Sequence, residues 1–185
     1  MIDALALMLA SDVGSDPVPT PKDLEAVAAV QYGAEGSSAF TILVGGGSDL
    51  DGADYAQGIA EYSWFVAEGL GLGLYASGIG VWQPIEDAAG GGVGIDIRWH
   101  FLREETWSVY GELGCGVQFT TNEVPANTSD TNFAPWAGIG VRQQLDAGTS
   151  LMLGVQWFHQ SNARTDEQNP GRDSIGAYVG LSWSL

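Results

Sequence analysis

The chain has 185 residues, enough for one domain, and no change of composition along it suggests two separate cores. Its 23 Asp and Glu against 6 Lys and Arg give a formal net charge of -17, which argues against nucleic acid as a partner, because that affinity comes from basic side chains neutralising phosphates. The single cysteine, Cys115, has no partner for an internal disulfide and no Cys or His neighbours at metal-ligand spacing, so it reads as a small apolar residue and no metal site is expected.

Residues 1 to 37 precede the patterned part of the chain. An apolar run from Ala4 to Ala10 is followed by small residues and by Pro17, Pro19 and Pro21, which fix the backbone and withhold N–H donors from any sheet. Asp3 is the only early charge, whereas a secretory signal has a basic start. Two readings stand side by side for this segment: the remnant of an export signal, or a disordered lead-in. No run of about 18 apolar residues occurs, so a transmembrane helix is excluded; a membrane barrel is not, because its strands alternate and carry little net hydropathy.

From residue 38 the period is two, the signature of strands with distinct faces. Segments near 38 to 47, 55 to 66 and 69 to 82 come first. The third changes phase, with Leu70, Leu72 and Leu74 even but Ile79 and Val81 odd, which predicts a bulge near Ser77 and Gly78. Next, Val93, Ile95, Ile97, Trp99 and Phe101 alternate with Asp96, Arg98 and His100. Then Val109, Leu113, Cys115, Val117 and Phe119 stand opposite Tyr110, Glu112 and Gln118. Segments near 132 to 144 and 150 to 161 follow. In the last, Ile175, Ala177, Val179, Leu181, Trp183 and Leu185 share one face and glycines, serines and Tyr178 the other. Turns rich in Gly, Asn, Asp and Pro join the segments.

Eight such strands close a barrel, so the expected fold is all-β, an eight-stranded antiparallel transmembrane β-barrel over residues 38 to 185. The polar face carries Glu61, Asp96, Arg98, His100, Glu112 and Arg142 among glycines, a set that fills a narrow lumen with ion pairs and small groups. The other face offers Leu, Ile, Val, Trp and Phe to lipid. Trp99, Phe101, Trp107, Phe119, Phe133, Trp157 and Trp183 lie near strand ends, where aromatic girdles belong. The rival is a soluble lipid-binding barrel with its apolar face inward. His100, between lumen charges, reads as a structural hydrogen-bond partner. Asn127-Thr128-Ser129 matches a glycosylation acceptor, a coincidence in a bacterial outer membrane.

The chemistry-bearing stretch is the last hairpin. The parity of Leu151, Leu153, Val155 and Trp157 continues to His159 and Ser161, so imidazole and hydroxyl project outward, about 6 to 7 Å apart along the strand. Asp173 extends the outward series of the last strand. With Ser161 opposite Asp173, His159 is the diagonal neighbour of the carboxylate. A serine becomes a nucleophile when a histidine takes its proton, and a carboxylate fixes that histidine's tautomer, so His159, Ser161 and Asp173 suit a catalytic unit. The other reading of the same residues is a strand that has ended in a solvated loop.

His159-Gln160-Ser161-Asn162-Ala163, followed by Asn169-Pro170-Gly171 and Asp173, resembles the signature of the outer-membrane lipid A 3-O-deacylases, the PagL-type family. The resemblance implies a serine esterase that hydrolyses the acyl chain ester-linked at the 3-position of lipid A, working in the bacterial outer membrane without a metal or organic cofactor. It implies His159 as base, Ser161 as nucleophile and Asp173 as orienting acid, with Asn162 and Asn169 supporting the site or its oxyanion hole. Arg164 stands where many relatives have a small residue, and Asp173 is shorter than the Glu of some members. Arg164 and Arg172 flank the hairpin as counter-charges for a phosphorylated headgroup. The partners implied are lipopolysaccharide as substrate and the surrounding lipid, with no oligomeric state specified. The competing function is a non-catalytic eight-stranded barrel that anchors surface loops for structure or adhesion.

Overall fold

The alternation of outward apolar and inward small or polar residues builds eight antiparallel strands, β1 (Ser38–Ser48), β2 (Asp54–Ala67), β3 (Leu70–Trp82), β4 (Ala88–Arg103), β5 (Trp107–Thr120), β6 (Thr131–Gln144), β7 (Thr149–Gln160) and β8 (Arg172–Ser184). Each strand pairs its neighbours in sequence and β8 pairs back onto β1, from Ala39 opposite Ser184 to Ser48 opposite Ile175, so the sheet is a closed barrel. The computed structural model describes residues 32–49, 51–165 and 167–185. The export-signal or lead-in reading of residues 1 to 37 lies outside them except for residues 32–37, where Gly36 N donates to Phe65 O and Phe65 N to Ser37 O.

Closure satisfies the edge N–H and C=O groups that an open sheet would leave bare, and it permits an apolar exterior. That exterior is what the side chains form. Val93, Ile95, Leu113 and Ile175 are each at least 60% exposed, and Ile42, Leu74, Ile139 and Val155 continue the band. Such a surface in water would be an aggregation site; covered by lipid it is the stabilising face. The rival barrel with an inward apolar face is thereby overturned. Aromatic rings gather at both rims: Trp64, Trp99, Phe101 and Trp107 near one end, Trp82, Phe119, Phe133 and Trp157 near the other. The connections at residues 68–69, 104–106 and 145–148 are short, whereas 83–87, 121–130 and 161–171 are longer, which assigns the first rim to the periplasm and the second to the cell exterior.

The lumen is packed in layers. At the periplasmic mouth Tyr32 turns in ahead of β1, its ring 4.2 Å beneath the Arg142 guanidinium carbon and its hydroxyl 3.1 Å from Ser182 Oγ. His100 packs against Tyr32 and Tyr110, with Nδ1 2.8 Å from Ser108 Oγ, a structural role. Above them Arg98 donates through Nη1 and Nη2 to both oxygens of Glu61, at 2.9 and 2.8 Å, and through Nε to Glu112 at 2.9 Å. Tyr178 donates to the remaining Glu112 oxygen and meets Tyr110 at 2.9 Å. These rings lie across glycines of neighbouring strands. A Cβ on Gly140 would collide with Tyr110, one on Gly154 with Tyr178 and one on Gly114 with Trp136. The glycines on the inner face are therefore the space that the aromatic side chains occupy.

The bulge expected at Ser77 and Gly78 is absent. Pairing runs unbroken through Ile59 with Ser77 and Gly58 with Gly78, and through Ser77 with Gly92 on the other side. Ile79 and Val81 change phase because they point inward, buried with Tyr55, Ile59 and Phe158 in an apolar layer of the extracellular half. The register shifts lie instead near the periplasmic rim, between Phe65 and Ala67 and between His100 and Leu102.

The Arg98 cluster generates a stability prediction. Arg98→Met should lower unfolding free energy in detergent by roughly 3 to 5 kcal/mol, since it leaves Glu61 and Glu112 buried without their cation. Denaturant unfolding followed by tryptophan fluorescence measures it, and a wild-type midpoint would show that the cluster does not stabilise the barrel.

Candidate active site

β7 and β8 run out of the apolar band at the extracellular rim, and there their outward positions change from Val155, Trp157, Ile175 and Ala177 to His159, Ser161 and Asp173. The register sets His159 directly opposite Asp173, with Gln160 opposite Arg172 and Trp157 opposite Ile175. His159 is therefore not the diagonal neighbour of the carboxylate. It is its cross-strand partner, and Nδ1 lies 2.9 Å from Asp173 Oδ1. A carboxylate only accepts, so the proton of that bond belongs to Nδ1, and in the neutral imidazole the lone pair is on Nε2.

Ser161, one residue past β7, no longer pairs with β8 but still pairs with β6: its N–H donates to Phe133 O at 3.1 Å and its carbonyl accepts from Phe133 N at 2.8 Å. That bridge keeps the β6–β7 register, which brings Pro135 opposite His159. Proline has no N–H to contribute there, so the ladder is interrupted where the histidine stands. His159 and Ser161 thus keep the same outward parity on a strand whose hydrogen bonding has begun to open. Among the described residues neither Ser161 Oγ nor His159 Nε2 has a hydrogen-bond partner, and both belong to side chains of the same outward parity.

The loop that follows is fastened from within. Thr165 N donates to Asn162 O at 3.0 Å across a tight turn whose central residues, Ala163 and Arg164, have φ of 52° and 66°. Two successive non-glycine residues in the left-handed region cost roughly 1 to 2 kcal/mol each. Asn162 offsets that cost. Its Oδ1 accepts from Arg164 N at 2.9 Å, its Nδ2 donates to Gln168 O at 2.7 Å, and its own N–H donates to Asn169 Oδ1 at 3.1 Å. Asn162 is buried and wholly committed to support. Arg164 N–H is also occupied. Among the described residues the Ala163 N–H and Asn169 Nδ2 have no acceptor, and both belong to the turn and loop that follow Ser161.

The two flanking arginines part company. Arg164 is exposed in the turn. Arg172 is buried in the lumen, where its Nη2 donates to Gln160 Oε1 and Gln160 Nε2 donates on to Gln118 Oε1 at 2.8 Å. Its even parity sends it through the wall, so it does not stand on the outer face with His159 as a headgroup counter-charge. It clamps β5, β7 and β8 from behind at the level of the His159–Asp173 pair.

Trp157 is the site residue that sequence reasoning missed. Its parity marked it as one more girdle aromatic. Its indole Nε1 donates to Asp173 Oδ1 at 2.8 Å, and its ring stacks on His159 with centroids 5.8 Å apart and planes at 27°. The signal available in sequence was its position two residues before His159 on the same face.

This arrangement has the parts for nucleophilic acyl transfer: a hydroxyl, a histidine with a free basic nitrogen, a carboxylate orienting that histidine, and unpaired donors nearby. It faces outward, where a lipid ester lies. Among the described residues no cluster of His, Cys, Asp and Glu suits a metal ion.

The family model described as lipid A 3-O-deacylase (PagL) matches residues 54–182. The crystal structure of the outer membrane enzyme PagL superposes with a TM-score of 0.58 at 17% identity, over 77% of this chain and 97% of that one. The N-terminal β-barrel domain of Pseudomonas aeruginosa OprF gives 0.56 at 14% identity, over 82% and 98%. Neisserial surface protein A gives 0.52 at 11% identity, over 80% and 95%. At these identities the structural likenesses show the fold. A comparison with curated proteins returns no match.

Gly171 supplies a test of the site's packing. Its φ is 67°, and a Cβ there would lie 2.9 Å from His159 Cε1. Gly171→Ala should leave heat-modifiable gel mobility intact but push the imidazole aside and lower ester hydrolysis at least tenfold, because a displacement of about 1 Å is enough to do so. Wild-type turnover by this variant would show that the ring is not held against residue 171.

Proposed function

The chain belongs to the lipid A 3-O-deacylase (PagL) family, and we propose that Ser161, His159 and Asp173 carry out its reaction on the outer face of the barrel. It is a β-barrel hydrolase of the bacterial outer membrane, acting on an ester bond of lipid A. The observation that carries the residue assignment is the His159 Nδ1 to Asp173 Oδ1 bond of 2.9 Å on the outward surface, which leaves Nε2 available on the parity shared with Ser161.

His159 Nε2 takes the proton of Ser161 Oγ as the oxygen attacks the ester carbonyl, and the carbonyl oxygen becomes an oxyanion. The Ala163 N–H and Asn169 Nδ2, without acceptors among the described residues and in the loop that follows the serine, are the donors we assign to that charge. Collapse breaks the bond to the 3-oxygen of the sugar, which leaves with the proton from Nε2, and the acyl group remains on Ser161. A water molecule then gives its proton to Nε2 and attacks the acyl-serine, releasing the fatty acid and restoring Ser161. Asp173 stabilises the imidazolium at each half-reaction and takes no proton itself.

The site's height suits this substrate. His159 and Ser161 end the apolar band, where an acyl ester lies just beneath the headgroups, and Trp157 marks the interface below them. Arg164, exposed in the turn after Ser161, is the cation placed for a phosphorylated headgroup.

Ser161→Ala and His159→Ala should each lower deacylation by several orders of magnitude, with the double variant little worse than either, because the groups act as one unit. Asp173→Ala should retain more activity, since the carboxylate acts through the histidine. The measurement is release of 3-hydroxy fatty acid from lipid A by refolded protein, followed by mass spectrometry, with heat-modifiable mobility as the folding control. Near wild-type activity of folded Ser161→Ala would end the serine-esterase reading.

A further inference from the structure

We infer that Trp157 is a positioning residue for the reaction, holding Asp173 through its indole N–H and supporting the protonated His159 with its ring. This rests on the assignment of His159 and Asp173 under the proposed function.

Three observations carry it. Trp157 Nε1 donates to Asp173 Oδ1 at 2.8 Å, the same oxygen that His159 Nδ1 meets at 2.9 Å, so indole and imidazole fix one carboxylate atom from two sides. The indole lies stacked on the imidazole, with centroids 5.8 Å apart at 27°. The β7–β8 register makes both contacts possible at once: His159 is the direct partner of Asp173, and Trp157, paired with Ile175, is its diagonal neighbour. An indole serving only as a membrane anchor would point its N–H to headgroups or water.

The need is set by exposure. The Asp173 side chain is 64% exposed while that of His159 is 25% exposed. A carboxylate so open rotates freely unless a second donor restrains it, and a wandering carboxylate neither fixes the tautomer of His159 nor meets the imidazolium at full strength. The indole N–H supplies the restraint. The ring supplies the second effect, because the face of an indole attracts a cation, and His159 becomes one as it takes the Ser161 proton. Both effects grow along the reaction coordinate, so they act on kcat rather than on substrate affinity.

Two variants separate them. Trp157→Phe keeps a ring to stack and loses the N–H; kcat should fall about tenfold with KM within about twofold of wild type. Trp157→Leu loses both, and kcat should fall about a hundredfold. Independently of any change at position 157, the indole N–H resonance of Trp157 in 15N-tryptophan-labelled protein in micelles should shift when Asp173 is replaced by Ala. In Trp157→Phe, the downfield Nδ1 proton of His159 should broaden or move upfield.

Wild-type kcat in Trp157→Phe overturns the N–H role, and a rise in KM alone in both variants overturns the proposal in favour of a lipid anchor. An indole resonance indifferent to Asp173→Ala does the same. Ser161→Ala in the same assay keeps the two readings apart. If it is active the serine mechanism fails, whereas the resonance shifts report the Trp157–Asp173–His159 contact whatever the nucleophile.

Discussion

A peptide group in hydrocarbon has no water to bond, and pairing β1 with β8 is what meets that constraint here. Once the ladder closes, every strand residue faces either lipid or a lumen, with nothing between. Alternate residues must be apolar outward where lipid covers them, so at mid-membrane the polarity of the strands goes to the inward ones. In a ring of eight strands that lumen is narrow. It holds Arg98, Glu61 and Glu112 only because each charge meets another, and it holds Tyr75, Tyr110, Trp136 and Tyr178 only because glycines leave room beside them.

The same constraint explains where chemistry is permitted. A His, Ser or Asp on the outer face is unfavourable at mid-membrane and far less so at the rim. His159, Ser161 and Asp173 come at the rim, where Pro135 has already interrupted the β6–β7 ladder and Ser161 pairs with Phe133 alone. The strand is still regular enough to fix parity and open enough to leave donors free in the following turn. Charge is divided accordingly: Arg98, Arg142 and Arg172 lie inside with Glu61, Asp96 and Glu112, so the acidic excess among the described residues lies outside the lumen, and Arg164 is a cation left near the site.

Period-two patterning made the barrel legible because lipid and lumen impose opposite chemistry on adjacent residues. It misled at Ile79 and Val81, where the lumen itself is apolar and an inward Ile looks like an outward one; the bulge inferred there was a change of filling, not of backbone. The three catalytic candidates were legible for the same reason that the strands were, as polar groups on an apolar parity. Register was not, because a hairpin's offset depends on how many residues its loop consumes, and the 161–171 loop is held by side-chain bonds of Asn162 that no pattern announces. Arg172 was legible and misassigned: its even parity placed it inside, and nearness in sequence to Asp173 was the weaker guide. Trp157 went unseen because an aromatic at the rim already had a sufficient explanation.

Register also explains how an aspartate reaches the imidazole. Directly opposed residues bring their Cβ atoms to about 5 Å, whereas diagonal ones stand about 7 to 8 Å apart. A short acid reaches an imidazole across the first gap and not readily across the second. With His159 opposite Asp173 the bond forms at 2.9 Å, and the diagonal gap is left to Trp157, whose longer side chain spans it at 2.8 Å. A slip of the hairpin by one residue would send Asp173 to the lumen, and a slip by two would restore parity but exchange the direct and diagonal partners. The buried Gln160–Arg172 pair, tied through Gln118 to β5, opposes both slips, since either would leave the Arg172 guanidinium without its inner acceptor. The outward chemistry is thus fixed by a polar contact on the inward face of the same wall.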